Sequence, residues 1–233
     1  MESTLSIESM ESIYNKHDTD KNSYFHNYTR QYKTLLNKFK NKPIKYLEIG
    51  VHRCGSLYAF KETFKEAKCV LGLDINFQCK SGEKIDDNIF VEIGDATDKT
   101  FIKNITDKHG TFDIILDDGS HMNSDVIKSF ELLFPLLNDD GIYIVEDAVC
   151  YKSHLVHNYP NHLEYFWNYT KYLNQTRADG DISINSEIAD YCMDPYKIIK
   201  KTNNVFEYSI DKIEFGCSYI AIYKKIRKHW INE

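Results

Sequence analysis

Apolar positions follow two different rhythms along the chain. Over residues 1–43, Tyr28, Tyr32, Leu35, Leu36 and Phe39 recur at three- and four-residue spacing, which predicts helix, and Pro43 closes the run. From residue 44 the rhythm changes to short apolar runs at 45–49 (KYLEI), 69–73 (CVLGL), 89–92 (IFVE), 112–116 (FDIIL) and 142–145 (IYIV). Each is bounded by Gly, Asp or Asn, and such runs predict strands buried on both faces. Amphipathic stretches at 55–66, 98–108 and 124–137 separate them and predict helices. Strand alternating with helix implies right-handed crossovers and a mostly parallel sheet. Two last β-like runs, 205–212 and 217–224, are joined by Glu214-Phe215-Gly216 and predict an antiparallel pair. The segment 151–200 is longer than a crossover needs. It holds an aromatic-rich helix candidate at 157–175 and a looser stretch around Arg177-Ala178-Asp179-Gly180-Asp181. It reads as an insertion over the carboxyl edge of the sheet, where ligands bind in such folds. The expected architecture is α/β: a doubly wound, seven-stranded, mostly parallel sheet over 44–233, preceded by a helical lead-in at 1–43.

Composition narrows the function classes. With 233 residues, 42% hydrophobic and 14% aromatic, the chain can bury one sizeable core. A net charge of −6 with scattered basic residues disfavours a broad nucleic-acid face. Apolar runs of about five or six residues fall far short of the roughly 18–20 a membrane helix needs, so no membrane partner is expected. The first thirty residues carry no apolar stretch behind basic residues, so no secretory signal is expected and the location is read as cytoplasmic. Six cysteines, at 54, 69, 79, 150, 192 and 217, form no CxxC pair and no zinc spacing, and reduced thiols follow.

The first chemical candidate is the loop after the first strand, Glu48-Ile49-Gly50-Val51-His52-Arg53-Cys54-Gly55-Ser56-Leu57. Gly50 and Gly55 permit a tight turn and close approach of a ligand to the backbone. His52 stands where a dinucleotide fingerprint needs its second glycine, so that motif fails. A plain strand-to-helix turn is the competing reading. Asp74 ends the second strand, where a carboxylate can accept both hydroxyls of a ribose. Asp95 follows the third, within reach of an adenine amino group. Either acid alone serves equally as a helix cap. With acids at successive strand ends, the chain resembles the class I S-adenosylmethionine-dependent methyltransferases over roughly residues 44–150. That resemblance implies Glu48, Gly50, Gly55 and Ser56 at the methionine end of the cofactor, Asp74 at the ribose and Asp95 at the adenine. It also implies Asp117 near the amino or sulfonium group.

The densest polar cluster is Asp117-Asp118-Gly119-Ser120-His121 after the fourth strand, and the fifth ends in Val145-Glu146-Asp147. Neighbouring strand ends bring four carboxylates into one volume, where they raise one another's pKa and call for a positive partner. Oxygen ligands in this number suit Mg²⁺ or another hard divalent cation. Helix capping accounts for one of these acids but not for three. His121 alone reads as structural; beside an acidified hydroxyl it is a candidate general base. The runs DDGSH and SFELLFPLLNDDGIYIVED, with Asp20-Lys21-Asn22-Ser23-Tyr24-Phe25-His26-Asn27-Tyr28 upstream, resemble the metal-dependent sugar O-methyltransferases of macrolide and rhamnosyl pathways. The resemblance spans about residues 18–151. It implies Asp118, Glu146 and Asp147 as metal ligands, with Asp118 and His121 as the catalytic pair.

The implied reaction is proton removal by His121 from a sugar hydroxyl and in-line attack of that oxygen on the methyl of S-adenosylmethionine. The implied acceptor is a deoxysugar, with a free nucleotide sugar such as UDP-rhamnose and its 2-hydroxyl preferred. A homodimer is expected from the same likeness. Tyr165, Phe166, Trp167, Tyr169 and Tyr172 suit a sugar, a dimer contact or plain core packing. A catechol-type methyltransferase shares the metal logic. A non-catalytic binding protein has no need of His121. A non-haem iron hydroxylase commonly uses two His and a carboxylate, and only His121 lies near these acids.

Overall fold

The computed structural model describes residues 7–79, 84–86, 88–152, 160–173, 206 and 209–225. The lead-in holds α1 (Ile7–Tyr14), α2 (Thr29–Leu35) and a 3-10 turn at Asn37–Phe39. Then follow β1 (Lys45–Ile49), α3 (Gly55–Thr63), β2 (Cys69–Asp74), β3 (Lys84–Asp86), β4 (Ile89–Ile93), α4 (Lys99–His109) and β5 (Phe112–Asp117). The remainder is α5 (Asn123–Leu133), β6 (Leu137–Val145), α6 (His162–Leu173), β7 (Ile210–Gly216) and β8 (Tyr219–Lys224). The described strands form one eight-stranded sheet in the order β3-β4-β2-β1-β5-β6-β8-β7. The five strands from β4 to β6 run parallel, and β3, β8 and β7 are antiparallel. This is the doubly wound sheet expected from the sequence, with the three-residue β3 added at its edge. Strand order reverses between β1 and β5, and such a switch point opens a crevice at the carboxyl ends.

Period-two alternation divides the core into two layers. Tyr46, Ile114, Leu116, Ile142 and Ile144 face the layer of Tyr14, Tyr32, Leu57 and Phe60, from α1, α2 and α3. Leu47, Ile49, Ile115, Tyr143 and Val145 face the layer of Ile102, Ile105, Phe130 and Phe166, from α4, α5 and α6. Phe130 is fully buried between Phe134, Tyr143 and Phe166, with ring centroids 4.9, 5.3 and 4.9 Å away. The pairs with Tyr143 and Phe166 are edge-to-face, and such pairs add about 0.5–1.5 kcal/mol each beyond burial.

Three local expectations are corrected. Residues 15–28 are not helical. Asn, Asp, Ser and Thr crowd this stretch, and their side chains compete for backbone groups: Asn15 Oδ1 accepts from Ser23 N–H at 3.0 Å, and Asn22 Oδ1 from Tyr24 N–H at 3.0 Å. The helix expected to reach 137 stops at Leu133, because Pro135 has no N–H to continue it, and β6 begins at Leu137. The final hairpin turns at Cys217-Ser218, with Gly216 paired to Tyr219, so Glu214 and Phe215 belong to β7. The stretch 177–181, Cys192 and the larger part of 151–200 lie outside the described residues.

Gly50 fixes how the strand ends meet. Its φ is +80°, and a Cβ there would run into the Asp118 carbonyl oxygen. The amide of Asp118 donates to Ile49 O at 3.0 Å, so the exits of β1 and β5 are stitched together at this point. Gly50→Ala is expected to lower stability by about 2–4 kcal/mol, from left-handed strain plus overpacking. Urea unfolding checks this; a loss below about 1 kcal/mol would show that the loop relaxes freely.

Candidate active site

A cleft of about 700 Å³ opens along the carboxyl ends of β4, β2, β1 and β5. Gly50, Gly55, Ser56, Asp74, Asp95, Asp117, Asp118 and His121 lie on its walls, which brings most of the expected residues together. Another wall comes from the lead-in, including Asp18, Lys21 and Phe25. The carboxylate of Asp74 also organises the loop after β1: Oδ2 accepts from the amides of Val51 and His52 at 3.0 and 2.9 Å. Asp95 Oδ1 accepts from Thr97 N–H at 2.8 Å and stays exposed to the cleft. A Cβ on Gly55 would meet the Asp18 carbonyl, so the start of α3 and the lead-in pack backbone to backbone.

Below one end of the cleft lies a buried charged layer. Glu48, Asp118 and Glu146 extend the β1, β5 and β6 positions that face α1 and α2, and Lys21 enters among them. Its Nζ donates to Glu146 Oε2 at 2.8 Å and to Asp118 Oδ2, and stands 3.6 Å from Glu48 Oε1. The Tyr32 hydroxyl donates to Glu146 Oε1, and the Tyr46 hydroxyl to Glu48 Oε2 at 2.9 Å. Among the described residues, no donor lies within hydrogen-bond distance and geometry of Glu48 Oε1. Burial alone would lower Lys21, but Glu146, Asp118 and Glu48 together hold its pKa well above the ordinary lysine value. Burial pushes Glu48 and Asp118 up. Burial outweighs Lys21 at Glu146 as well and pushes it up to about 8.

Asp118, His121 and Asp147 form a second group, sharing one member with the first. One ligand atom from each lies within 4.8 Å of the others, so the trio offers two oxygens and a nitrogen to a cation. His121 Nε2 is 3.9 Å from Asp118 Oδ1 and 3.7 Å from Asp147 Oδ2. Both His121 (φ +57°) and Asp147 (φ +48°) adopt left-handed backbone. Two non-glycine residues in that region at one site are an uncommon cost, of the kind found where geometry serves function. Asp147 is tied down from the lead-in: the Tyr28 hydroxyl donates to its Oδ1 at 2.9 Å and accepts from its amide at 2.9 Å. His26 Nδ1 stands 3.8 Å from its Oδ2.

Glu146 and Glu48 face the buried layer of Lys21, while Asp117, on the cleft wall, turns its side chain toward Ser129 and Tyr143. Glu146 does not join the trio, because strand alternation turns it into the layer of Lys21 and Tyr32. Glu48 shares that face and is fully buried rather than on the cleft wall. Asp117 points to the opposite layer, where its Oδ2 accepts from Ser129 at 2.5 Å and from Tyr143 at 2.9 Å. Sequence reading missed Lys21, Tyr28, Tyr32 and His26 as partners of the acids, although all lie in the lead-in run. Of the aromatic stretch in α6, Phe166 and Tyr169 pack in the core, while Trp167 is exposed.

A carboxyl whose folded pKa exceeds its unfolded one contributes stability at low pH and loses it as pH rises through the folded value. For Glu146 that window runs from 4.5 to about 8. Metal-free protein is therefore expected to lose Tm as pH is raised across this range, and Glu146→Gln to flatten the upper part of the slope. A scan of Tm against pH in EDTA checks it; an unchanged slope in the variant would assign the proton to another group.

No protein-family model matches the chain. It is 32% identical over 139 residues to the 8-demethyl-8-α-L-rhamnosyl tetracenomycin-C 2′-O-methyltransferase of Streptomyces olivaceus, covering 57% of this chain and 35% of that protein. It is 32% identical over 145 residues to the mycinamicin VI 2″-O-methyltransferase of Micromonospora griseorubida, covering 59% and 35%. The matched part is thus about a third of the length of these curated relatives. Among solved structures, the chain superposes on the MycE methyltransferase of the mycinamycin biosynthetic pathway, in complex with Mg and SAH. The TM-score is 0.76 at 22% identity, over 99% of this chain and 56% of that one. The chain thus shares the fold of that methyltransferase and is similar, over somewhat more than half its length, to sugar O-methyltransferases of the mycinamicin and tetracenomycin pathways.

Proposed function

We propose that the protein is an S-adenosylmethionine-dependent O-methyltransferase that uses a divalent cation, Mg²⁺ first, and methylates a hydroxyl of a deoxysugar carried by a small molecule. The observation that carries this reading is the convergence of Asp118, His121 and Asp147 at one end of a cleft bordered by Gly50, Asp74 and Asp95. The cleft has the size of a small-ligand site. Two carboxylates are oxygen donors that a hard divalent cation accepts, with water and substrate oxygens completing the set and His121 beside them as the base. The relatives' names point the same way. They also place the sugar on an aglycone, which favours a glycoside acceptor over the nucleotide sugar UDP-rhamnose anticipated from the sequence.

When bound, S-adenosylmethionine supplies an electrophilic methyl and the cation supplies charge that acidifies the acceptor hydroxyl. The chain does the rest. Asp74 and Asp95 hold the ribose and adenine ends, and the backbone around Gly50, Gly55 and Ser56 admits the methionine end. Asp118 and Asp147 hold the cation. Glu146 can join them only by leaving Lys21. His121 takes the hydroxyl proton on its imidazole. Strand ends fixed in this way would position a bound cofactor and acceptor against each other, and such positioning is a large part of a rate enhancement of this kind.

Incubation with labelled S-adenosylmethionine and a panel of rhamnosyl glycosides, UDP-rhamnose and catechol tests the reading. Transfer to a sugar is expected with Mg²⁺ and lost in EDTA. Transfer to catechol alone, or full transfer in chelator, would overturn it. His121→Asn, a residue tolerant of left-handed backbone, is expected to cut turnover by roughly 10² or more with cofactor binding retained in calorimetry.

A further inference from the structure

Asp118 belongs to both charged groups. Its Oδ2 accepts from Lys21, while its Oδ1 faces His121 in the trio. Glu146, next in the chain to Asp147, gives one oxygen to Lys21 and the other to Tyr32. A carboxylate committed to an ammonium donates less to a second cation, and a unit charge a few ångströms from a dication repels it. We infer that Lys21 is a resident counter-cation that competes with the divalent cation for Asp118 and Glu146, and so sets how loosely the metal is held.

The inference rests on the metal reading above and adds a residue to it. The lysine is suited to the part. Its stem is long and flexible, its ammonium is a compact charge, and it comes from a loop rather than from the sheet. The loop is also held without it. Asn22 Nδ2 donates to Thr19 O at 2.6 Å, Asn15 and Ser23 bond side chain to side chain, and Arg53 pairs with Asp18 at 3.1 Å. Tyr28 anchors the far end on Asp147 and Ser218. Removing the lysine charge therefore leaves these fastenings in place and frees Asp118 of the trio and Glu146 beside it. In the wild type, the cation meets Asp147 and a shared Asp118; with Lys21 gone, it meets Asp118 unshared and Glu146 as well.

The test is calorimetric titration of Mg²⁺ or Mn²⁺ into the full chain, with thermal unfolding in EDTA and in metal. The variants are K21Q, E146Q and K21Q/E146Q. K21Q is expected to bind the cation about tenfold or more tightly than wild type. It is also expected to show a lower Tm in EDTA and a larger Tm rise on adding metal. A merely structural lysine would lower Tm in EDTA without tightening the cation. Should K21Q not fold, K21Q/E146Q removes the pair together, and it is expected to bind more tightly than E146Q because Asp118 alone is released. Wild type that binds metal, with K21Q binding equally or more weakly, overturns the inference and leaves the metal reading standing. Metal binding by K21Q when wild type shows none supports it. No binding by any variant overturns the metal reading, and the inference falls with it.

Discussion

The structure turns on one ammonium group. Glu48, Asp118 and Glu146 come from three neighbouring strands and meet in a layer largely closed to water. Taking an ion into such a layer costs several kcal/mol even after relaxation, and three carboxylates repel one another besides. A single opposite charge at 4 Å offsets about 4 kcal/mol at the dielectric of a partly relaxed protein. Lys21 approaches all three acids at once, at 3.6 Å or closer. Tyr32 and Tyr46 supply neutral donors to the remaining oxygens. The layer is therefore tolerable with its lysine in place, and far less so without it.

Because the lysine arrives from outside the sheet, it also fixes what covers the cleft. The lead-in crosses the start of α3, where Gly55 leaves room for the Asp18 carbonyl. It is pinned on one side by the His17–Glu62 pair at 2.9 Å and on the other by Tyr28 against Asp147. Charge balance beneath the cleft and the shape of its wall are thus set by the same dozen residues.

Much of this was legible in the chain. Strands buried on both faces announce themselves as continuous apolar runs, and β1, β2, β4 and β5 fall within a residue of where the pattern puts them. The acids at strand ends were equally visible. What pattern reading did not resolve was the direction of each acid. Counting in twos from Tyr46, Ile114 and Ile144 assigns Glu48, Asp118 and Glu146 to one face, and counting from Ile115 assigns Asp117 to the other. The signal is present as parity along each strand. Asp147 obeys neither count, since its left-handed backbone turns it after the strand has ended. The path of 15–28 was not readable either. Asx-type bonds set it locally, and a contact of Lys21 with Glu146, 125 residues away, completes it.

That contact changes what counts as a separable piece of this protein. The boundary at residue 43, natural from the change in hydrophobic rhythm, parts in the chain what the fold joins in space. A shortened version starting at the first strand would keep the whole parallel core. Yet it would expose the face of Tyr46 and Phe60, strip one side from the ligand crevice and strand three acids without their cation. The smallest unit worth transplanting or expressing on its own reaches back at least to Asn15, whose side chain begins the loop that carries the lysine inward.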